Sequence, residues 1–579
     1  MTHIRIQLQK IIRGKGLLTA ALLLAMTGFA SVAGATYSLP AYRAVTWEGN
    51  VGVKNDIPSR STVYKTLNPS GGDDTSAIQG AITACPADQI VQLGKGTFNV
   101  SSPITVKSNM TLRGAGMGST IIKGKAGMGG AYLVGIKGGP TLGAAVGLVG
   151  GMSKGSSTIT TSAPHGWAAG DIILVDQLNA PQDDPPVKNI GSNNAACTWC
   201  GRSSGTRSLG QMVKVAATPT STTATLEMPL YWNYEASLSP QAVKLSSMVT
   251  NAGIERLTVD NRASGSSSQA SDGGTILLRG TANSWLVDVE AIGAWETMVR
   301  MYGTYRTTVR GGKFHTGVSP TGSSQYCMWL GPYASANLIE NNQMYNLTSG
   351  VMLNGATSGN VIGYNYITAI SMSDRLSWNM SAIGTHGAHP MMNLIEGNYI
   401  EGARLRNDNV WGSSSHNTLF RNRSAVDSNR SSGAWDVDLH SAQQYYSMVG
   451  NVFGWVGVET VYELQNMNLS GQKSIYRFGY MSDGDGSSSG NDSLVYSTSL
   501  RHGNWDSVTN GTVWEGAEDQ TLPASLYLSG KPSWWGSMQW PCIGPDVKPL
   551  YPASPGAGKG TPWGTAKPRL SPPVLVSVQ

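Results

Sequence analysis

One phrase recurs through residues 335–455 and limits what this chain can fold into. SANLIENNQMYN (335–346), SGNVIGYNYITA (358–369), MMNLIEGNYIEG (391–402), HNTLFRNRSAV (416–426) and YYSMVGNVFGW (445–455) align on a polar pair five residues apart. The pairs are Asn337/Asn342, Asn360/Asn365, Asn393/Asn398, Asn417/Asn422 and Tyr446/Asn451, each bracketing a short apolar run. Fainter copies precede them at 254–261, 283–293 and 305–315. Repeats with a period of 20 to 50 residues signal a solenoid, and the period-two apolar content makes each unit a strand. Parallel strands stack at about 4.8 Å per coil. An amide that recurs at one corner therefore meets its own copies above and below, and buried amides need such partners. The expected fold is all-β, a parallel β-helix.

The spacing of the repeats marks a functional side. Successive ladder positions are 23, 33, 24 and 29 residues apart, and the surplus of the longer coils falls in 368–390 and 424–442, with another near 312–328. Insertions on one side of a solenoid build its binding face. The groove they would line suits a linear polymer. Only 13% of the chain is charged, yet these segments gather His315, Asp374, Arg375, His386, His389, Arg430, Asp436, Asp438 and His440. Arg404, Arg406, Asp408 and His416 lie on the coil between. Strand alternation puts Leu405 inward and Arg404, Arg406 and Asp408 outward. It likewise turns Asp436, Asp438 and His440 out and Val437 and Leu439 in.

The rest of the chain divides around this body. Residues 1–35 read as a secretory signal: Arg5, Lys10, Arg13 and Lys15 precede an apolar run from Leu17 to Ala30, and Ala33-Gly34-Ala35 offers a cleavage site. Without those four charges the formal net charge falls from +6 to +2, so no nucleic-acid partner is implied. The apolar run is too short to span a membrane. The expected product is secreted, extracellular or periplasmic, and monomeric. An extension (36–71) leads to a cap and first coils (72–145), in which Ile78 and Ile82 mark one amphipathic helix after N-capping residues. Residues 146–245 change pattern and read as hairpins of an inserted β module, whose Asp183, Asp184 and CTWC loop decorate a surface. Residues 246–545 form the main body and its C-terminal cap, and 546–579 a flexible tail. Trp505, Trp514, Trp534, Trp535 and Trp540 are expected to cap the coil end. Cys197 and Cys200 suit a small bridge, leaving Cys85, Cys327 and Cys542 with one odd thiol. In SDGDGSSSGND (482–492) no Glu stands at the twelfth position, so a polar turn is expected rather than a calcium loop.

The run from Asp73 to Gly124 resembles the opening of the pectate-lyase-like superfamily of right-handed parallel β-helices, whose known members include secreted bacterial, carbohydrate-active proteins. THGAHPMMNLIEGN, WGSSSHNTLFRN and LPASLYLSGKPSWWG (522–536) resemble the same proteins. The resemblance covers most of 72–545. It implies a right-handed parallel β-helix with an N-terminal capping helix, acting on polysaccharide. Lyases of that superfamily often use calcium held by Asp or Glu beside a basic residue, so Ca2+ enters as an implied cofactor only; no metal ligand is assigned. The scaffold hosts several reactions, so chemistry must be read from the site.

Two mechanisms suit such a groove. β-Elimination from a uronate needs a cation on the carboxylate and a base for the neighbouring proton. Arg404 and Arg406 are the candidates for the first role, and His386, His389 or His416 for the second. Glycoside hydrolysis needs two carboxyl groups flanking the bond, and Asp408, Asp436 and Asp438 are the candidates. Trp329, Trp411, Asp374, Arg375 and His440 are candidate substrate-binding residues. A structural ladder of ion pairs, a His386/His389/His416 metal centre and a non-catalytic glycan-binding protein are the competing readings. Elimination, dependent on Arg406, is favoured.

Overall fold

A computed structural model describes residues 36–128, 131–265, 272–318, 325–465, 472–481, 492–516 and 519–551. The expected signal segment, most of SDGDGSSSGND and the tail beyond 551 lie outside the described residues.

The chain winds into a three-faced parallel β-helix. One coil shows the plan. Leu338–Glu340 lies on the first face, Gln343–Leu347 on the second and Ser349–Leu353 on the third, before the chain returns to the first face at Val361–Gly363. Each pairs in parallel with its counterpart a coil later: Leu338 with Val361, Met344 with Ile367 and Val351 with Ile383. The core is the column of inward side chains from all three faces, among them Ile339, Ile362, Ile395 and Leu419. At its N-terminal end the helix Thr75–Ala84 buries Ile78, Ala81 and Ile82 against the first coils. Asp74 makes no side-chain cap on that helix; its carboxylate accepts from the backbone N–H groups of Ser70 and Asn99 instead.

The asparagines do what their repetition requires. At the corner between first and second faces, the Nδ2 of Asn342, Asn365, Asn398, Asn422 and Asn451 each donates to the Oδ1 of the next at 2.9–3.0 Å, ending on Asn504. A second ladder runs from Asn337 through Asn360 and Asn393 to Asn417. Asn417 then donates to the Tyr446 hydroxyl at 3.1 Å, so Tyr446 replaces the missing amide in kind.

Three additions clothe the coil. Residues 36–60 run along its length against the direction of winding. Tyr37 N–H meets the Thr521 carbonyl, Trp47 Nε1 the Met392 carbonyl, Gly52 N–H the Ala336 carbonyl and Arg60 the Thr111 hydroxyl. Strands between Thr141 and Ser246 close into a six-stranded antiparallel barrel with its own core of Ile173, Leu174, Val175, Met212 and Val213. Trp505, on the last coil strand Asn504–Asp506, and Trp514, after the strand Gly511–Val513 that pairs antiparallel with it, lie at the coil end as expected, but the other three tryptophans do not. Trp534, Trp535 and Trp540 pack along the outside of the first face, against Tyr364, Tyr399 and Phe420, and Tyr527 donates to Glu340 at 2.8 Å. Cys197 and Cys200 form a disulfide. Cys85, Cys327 and Cys542 are all free and buried, so none of the three is the partner of another.

Candidate functional site

Parallel register builds the site on the third face. Arg300 pairs with Trp329, Trp329 with Met352, Met352 with Gly384, Gly384 with Arg406 and Arg406 with Asp438. These positions form one outward column, about 4.8 Å per step. Just beyond, at the corner leading to the first face, the backbone carries the same register. His386 N–H bonds the Leu353 carbonyl, and Asp408 N–H bonds the Thr385 carbonyl, both at 3.1 Å. His386 therefore sits one coil from Asp408, and its Nδ1 meets the carboxylate at 2.8 and 3.0 Å.

Two adjoining cavities follow this column and share Val410. The larger, with about 590 Å³ of open volume, is lined by Trp199, Trp329 and Trp411, with Glu296, Arg300, Tyr302, Tyr326 and His386. The smaller, about 400 Å³, is lined by Arg375, Trp378, Arg404 and Arg406. Together they form one trough, aromatic at one end and cationic at the other. Asp408 lies beneath it, bonded also by Arg406 at 3.0 Å and by Val410 N–H at 3.0 Å. Burial pushes its carboxyl up, but its hydrogen-bonded pairing with His386 and the charge of Arg406 prevail and hold it well below the usual carboxylate range. Glu296 moves the other way: burial raises it against the pull of Arg300. Burial and the Asp408 charge also raise the Tyr326 phenol, which stays protonated.

The structure thus brings together His386, Arg406, Asp408, Arg375, Trp329 and Trp411 from among the expected residues, with Arg404 at the edge. It separates others. Asp438 is completely buried among Arg404 at 2.7 Å, Arg477 at 2.8 Å and His440 at 3.2 Å, a network that leaves it no catalytic face. Asp436 does not share that face: its buried carboxyl senses Glu459, Arg423 and Asp506, and burial with the Glu459 charge raises it well above normal. The hydrolytic pair Asp436/Asp438 is therefore excluded, and the expected ion-pair ladder is what occupies this end. Asp374 is exposed on its loop. His440, fully buried beneath the trough, braces Asn409 and Asp438.

His389 and His416 turn away from His386. Three residues after His386 the chain has rounded the corner toward the first face. His389 is buried there, held by the Ser413 and Ser415 hydroxyls at 2.9 Å. His416 lies edge-on to Trp232 and stacked on Tyr445. Burial pulls both down to about 3. Both are structural groups packed away from His386 and outside the trough lining, so the three histidines do not meet at one metal centre and neither of these two is placed as its base. An unfolded histidine takes up a proton below about 6.5, so the stability that these two contribute is present above that pH and lost as pH falls toward 3. In His389→Asn, the amide takes the place of Nδ1 on Ser413, while the bond that Nε2 makes to Ser415 is lost. The slope of unfolding free energy against pH between 4.5 and 6.5 then changes by close to one bound proton, measured by denaturant titration at each pH.

Sequence reasoning missed Glu296, Arg300, Tyr302, Tyr326 and Trp199. The first four come from coils whose repeats are faint; their signal was register with Trp329. Trp199 comes from the inserted module, whose CTWC loop was expected only to decorate a surface. Among the described residues no cluster of three His, Cys, Asp or Glu is arranged to hold a metal ion. The trough carboxylates, Glu296 and Asp408, are each already held by an arginine, and this donor set does not fit a resident Ca2+. No helix among the described residues is long and apolar enough to cross a membrane.

The fold is a parallel β-helix, and its opening segment resembles a pectate-lyase-like family. Residues 68–161 match the family described as rhamnogalacturonase A/epimerase, pectate lyase-like. The tailspike protein gp49 from Pseudomonas phage LKA1 is similar in structure, with TM-score 0.50 and 15% identity over 69% of this chain and 60% of that one. This chain thus spans about 60% of the tailspike's length. More distant likenesses include the polygalacturonase from Erwinia carotovora (TM-score 0.35, 12% identity, covering 70% of this chain and 96% of that one). The alginate lyase from Paenibacillus sp. str. FPU-7 stands at the same TM-score with 11% identity, over 71% and 98% of the two chains. No curated protein sequence matches the chain.

Proposed function

We propose that this chain is a secreted enzyme that cleaves an acidic polysaccharide lying along the third face, by β-elimination. The observation that carries this reading is the His386–Asp408 pair beside Arg406, at the junction of an aromatic and a cationic cavity. Asp408 binds Nδ1 of His386 and fixes the tautomer, which makes Nε2 the nitrogen that takes the proton next to the uronate carboxylate. Arg406 neutralises that carboxylate and steadies the charge that builds there in the transition state. Tyr326, a protonated phenol lining the same cavity, is the donor to the departing glycosidic oxygen. The basic-then-apolar opening of the sequence supports export.

Hydrolysis is the second reading, favoured by one observation: the Glu296 and Asp408 carboxyls are pushed in opposite directions, the pattern of an acid and its ionised partner. Glu296 would then protonate the leaving oxygen and the His386–Asp408 pair would activate water.

Incubation with a panel of acidic polysaccharides separates the readings. Rising ultraviolet absorbance from an unsaturated uronate supports elimination, new reducing ends without it support hydrolysis, and binding with neither leaves a glycan-binding protein. Arg406→Ala is expected to lower kcat/KM about 10- to 100-fold, the worth of one charge-assisted hydrogen bond; wild-type turnover in that variant removes Arg406 from the site.

A further inference from the structure

The inserted barrel is joined to the trough too closely to be decoration. Between two of its strands the chain leaves the barrel as residues 178–208 and lies against 408–413. Ser192 N–H bonds the Asn409 carbonyl at 3.0 Å, Ser413 N–H bonds the Lys188 carbonyl at 3.2 Å, and Lys188 N–H bonds the Ser413 hydroxyl at 2.8 Å. The backbones approach so closely that a Cβ on Gly191 would lie 1.8 Å from the Asn409 carbonyl oxygen. At the end of this segment the Cys197–Cys200 disulfide is buried against Ala388, two residues from His386. Trp199 projects from between the two cysteines. Its ring centroid lies 6.1 Å from that of Trp329 and 5.9 Å from that of Trp411, and all three rings are half-buried and line the cavity that His386 enters.

We infer that the barrel supplies a sugar-stacking subsite of the trough: Trp199, held in place by the Cys197–Cys200 bridge, completes with Trp329 and Trp411 an aromatic box for the pyranose ring next to the one that reacts. The inference rests on the proposed polysaccharide chemistry and deepens it. Three large rings left half-exposed around one cavity present apolar faces that match the C–H face of a pyranose, and a bridged four-residue loop presents its ring at little entropic cost. Two of the rings come from the coil or its connections. The third comes from the insertion, so the insertion sets which sugar is accepted beside His386. Trp199 is a positioning residue and touches no reacting atom.

The test compares wild type, Trp199→Ala, Trp199→Phe and Cys197→Ser/Cys200→Ser on polygalacturonate, alginate, hyaluronan and bacterial capsular polysaccharides. On the polymer that wild type cleaves, Trp199→Ala is expected to raise KM about tenfold with kcat nearly unchanged, the signature of lost ground-state binding. It also shifts the lengths of the products, which a merely structural change would not do. Trp199→Phe falls between, and the double serine variant follows Trp199→Ala. Wild-type KM and product lengths in Trp199→Ala overturn the subsite while leaving the cleavage reading intact. A wild-type protein that neither binds nor cleaves any of these polymers overturns both.

Discussion

Replacing His386 with glutamine lowers kcat about 1000-fold, within the 10²–10⁴ range of a positioned general base, while the protein unfolds near its wild-type temperature. The two halves of that expectation have separate causes. Glutamine reaches as far as imidazole and still offers an N–H to Asp408, and Asp408 keeps Arg406 and the Val410 N–H. The carboxylate beneath the trough is therefore not stranded, and the coil has no reason to open. What disappears is the imidazole nitrogen that takes the proton in the proposed elimination. In the proposed site the aromatic and arginine side chains carry substrate binding, so KM is expected to move little and the loss to belong to the chemical step. Glu296→Gln serves as the complement: it abolishes hydrolysis, if hydrolysis is the reaction, but costs elimination far less. A His386→Gln protein that turns over within threefold of wild type would end the assignment under either mechanism.

His386 also shows where the sequence stops being legible. The asparagine pairs announced the coil because a ladder needs the same residue at the same corner every turn, and identity at fixed spacing is visible in one dimension. The trough needs only side chains that emerge on the same face, and they differ from coil to coil. Arg300, Trp329 and Arg406 occupy one column, yet nothing in their identities links them. Proximity in sequence misled for the same reason. His386 and His389 are three residues apart, but a corner lies between them, so one enters the cavity and the other is buried under the barrel. In WDVDLH, strict alternation put Asp436 beside Asp438; instead Asp436 lies with Glu459 and Asp506, two carboxylates from later coils. Trp199 was out of reach altogether, since main-chain bonds to 409–413 hold its segment and they leave no mark on composition or period.

The part of the fold that was most legible is also the most fragile to a single substitution. Asn365→Leu is expected to cost about 4–6 kcal/mol, from buried polar groups that lose their partners at about 1–3 kcal/mol each. The Asn365 Oδ1 accepts from the backbone N–H and the Nδ2 of Asn342, both at 3.0 Å. Its Nδ2 donates to the Ile339 carbonyl and to Asn398 Oδ1, also at 3.0 Å. Leucine fills the space and answers none of these, and Asn342, Asn365 and Asn398 are fully buried, where water cannot substitute. A loss of that size approaches the whole stability of a typical domain. In a solenoid, where each coil contacts chiefly its neighbours, it appears first as a local opening. Hydrogen exchange should therefore lose protection at Leu338–Glu340 and Val361–Gly363 before the distant barrel strands Ile172–Gln177 respond. Asn429→Ala, on an exposed loop outside both ladders, supplies the control, with a change within about 0.5 kcal/mol. Equal effects from the two substitutions would mean that the ladder amides merely fit the corner, and that the winding is held by apolar stacking alone.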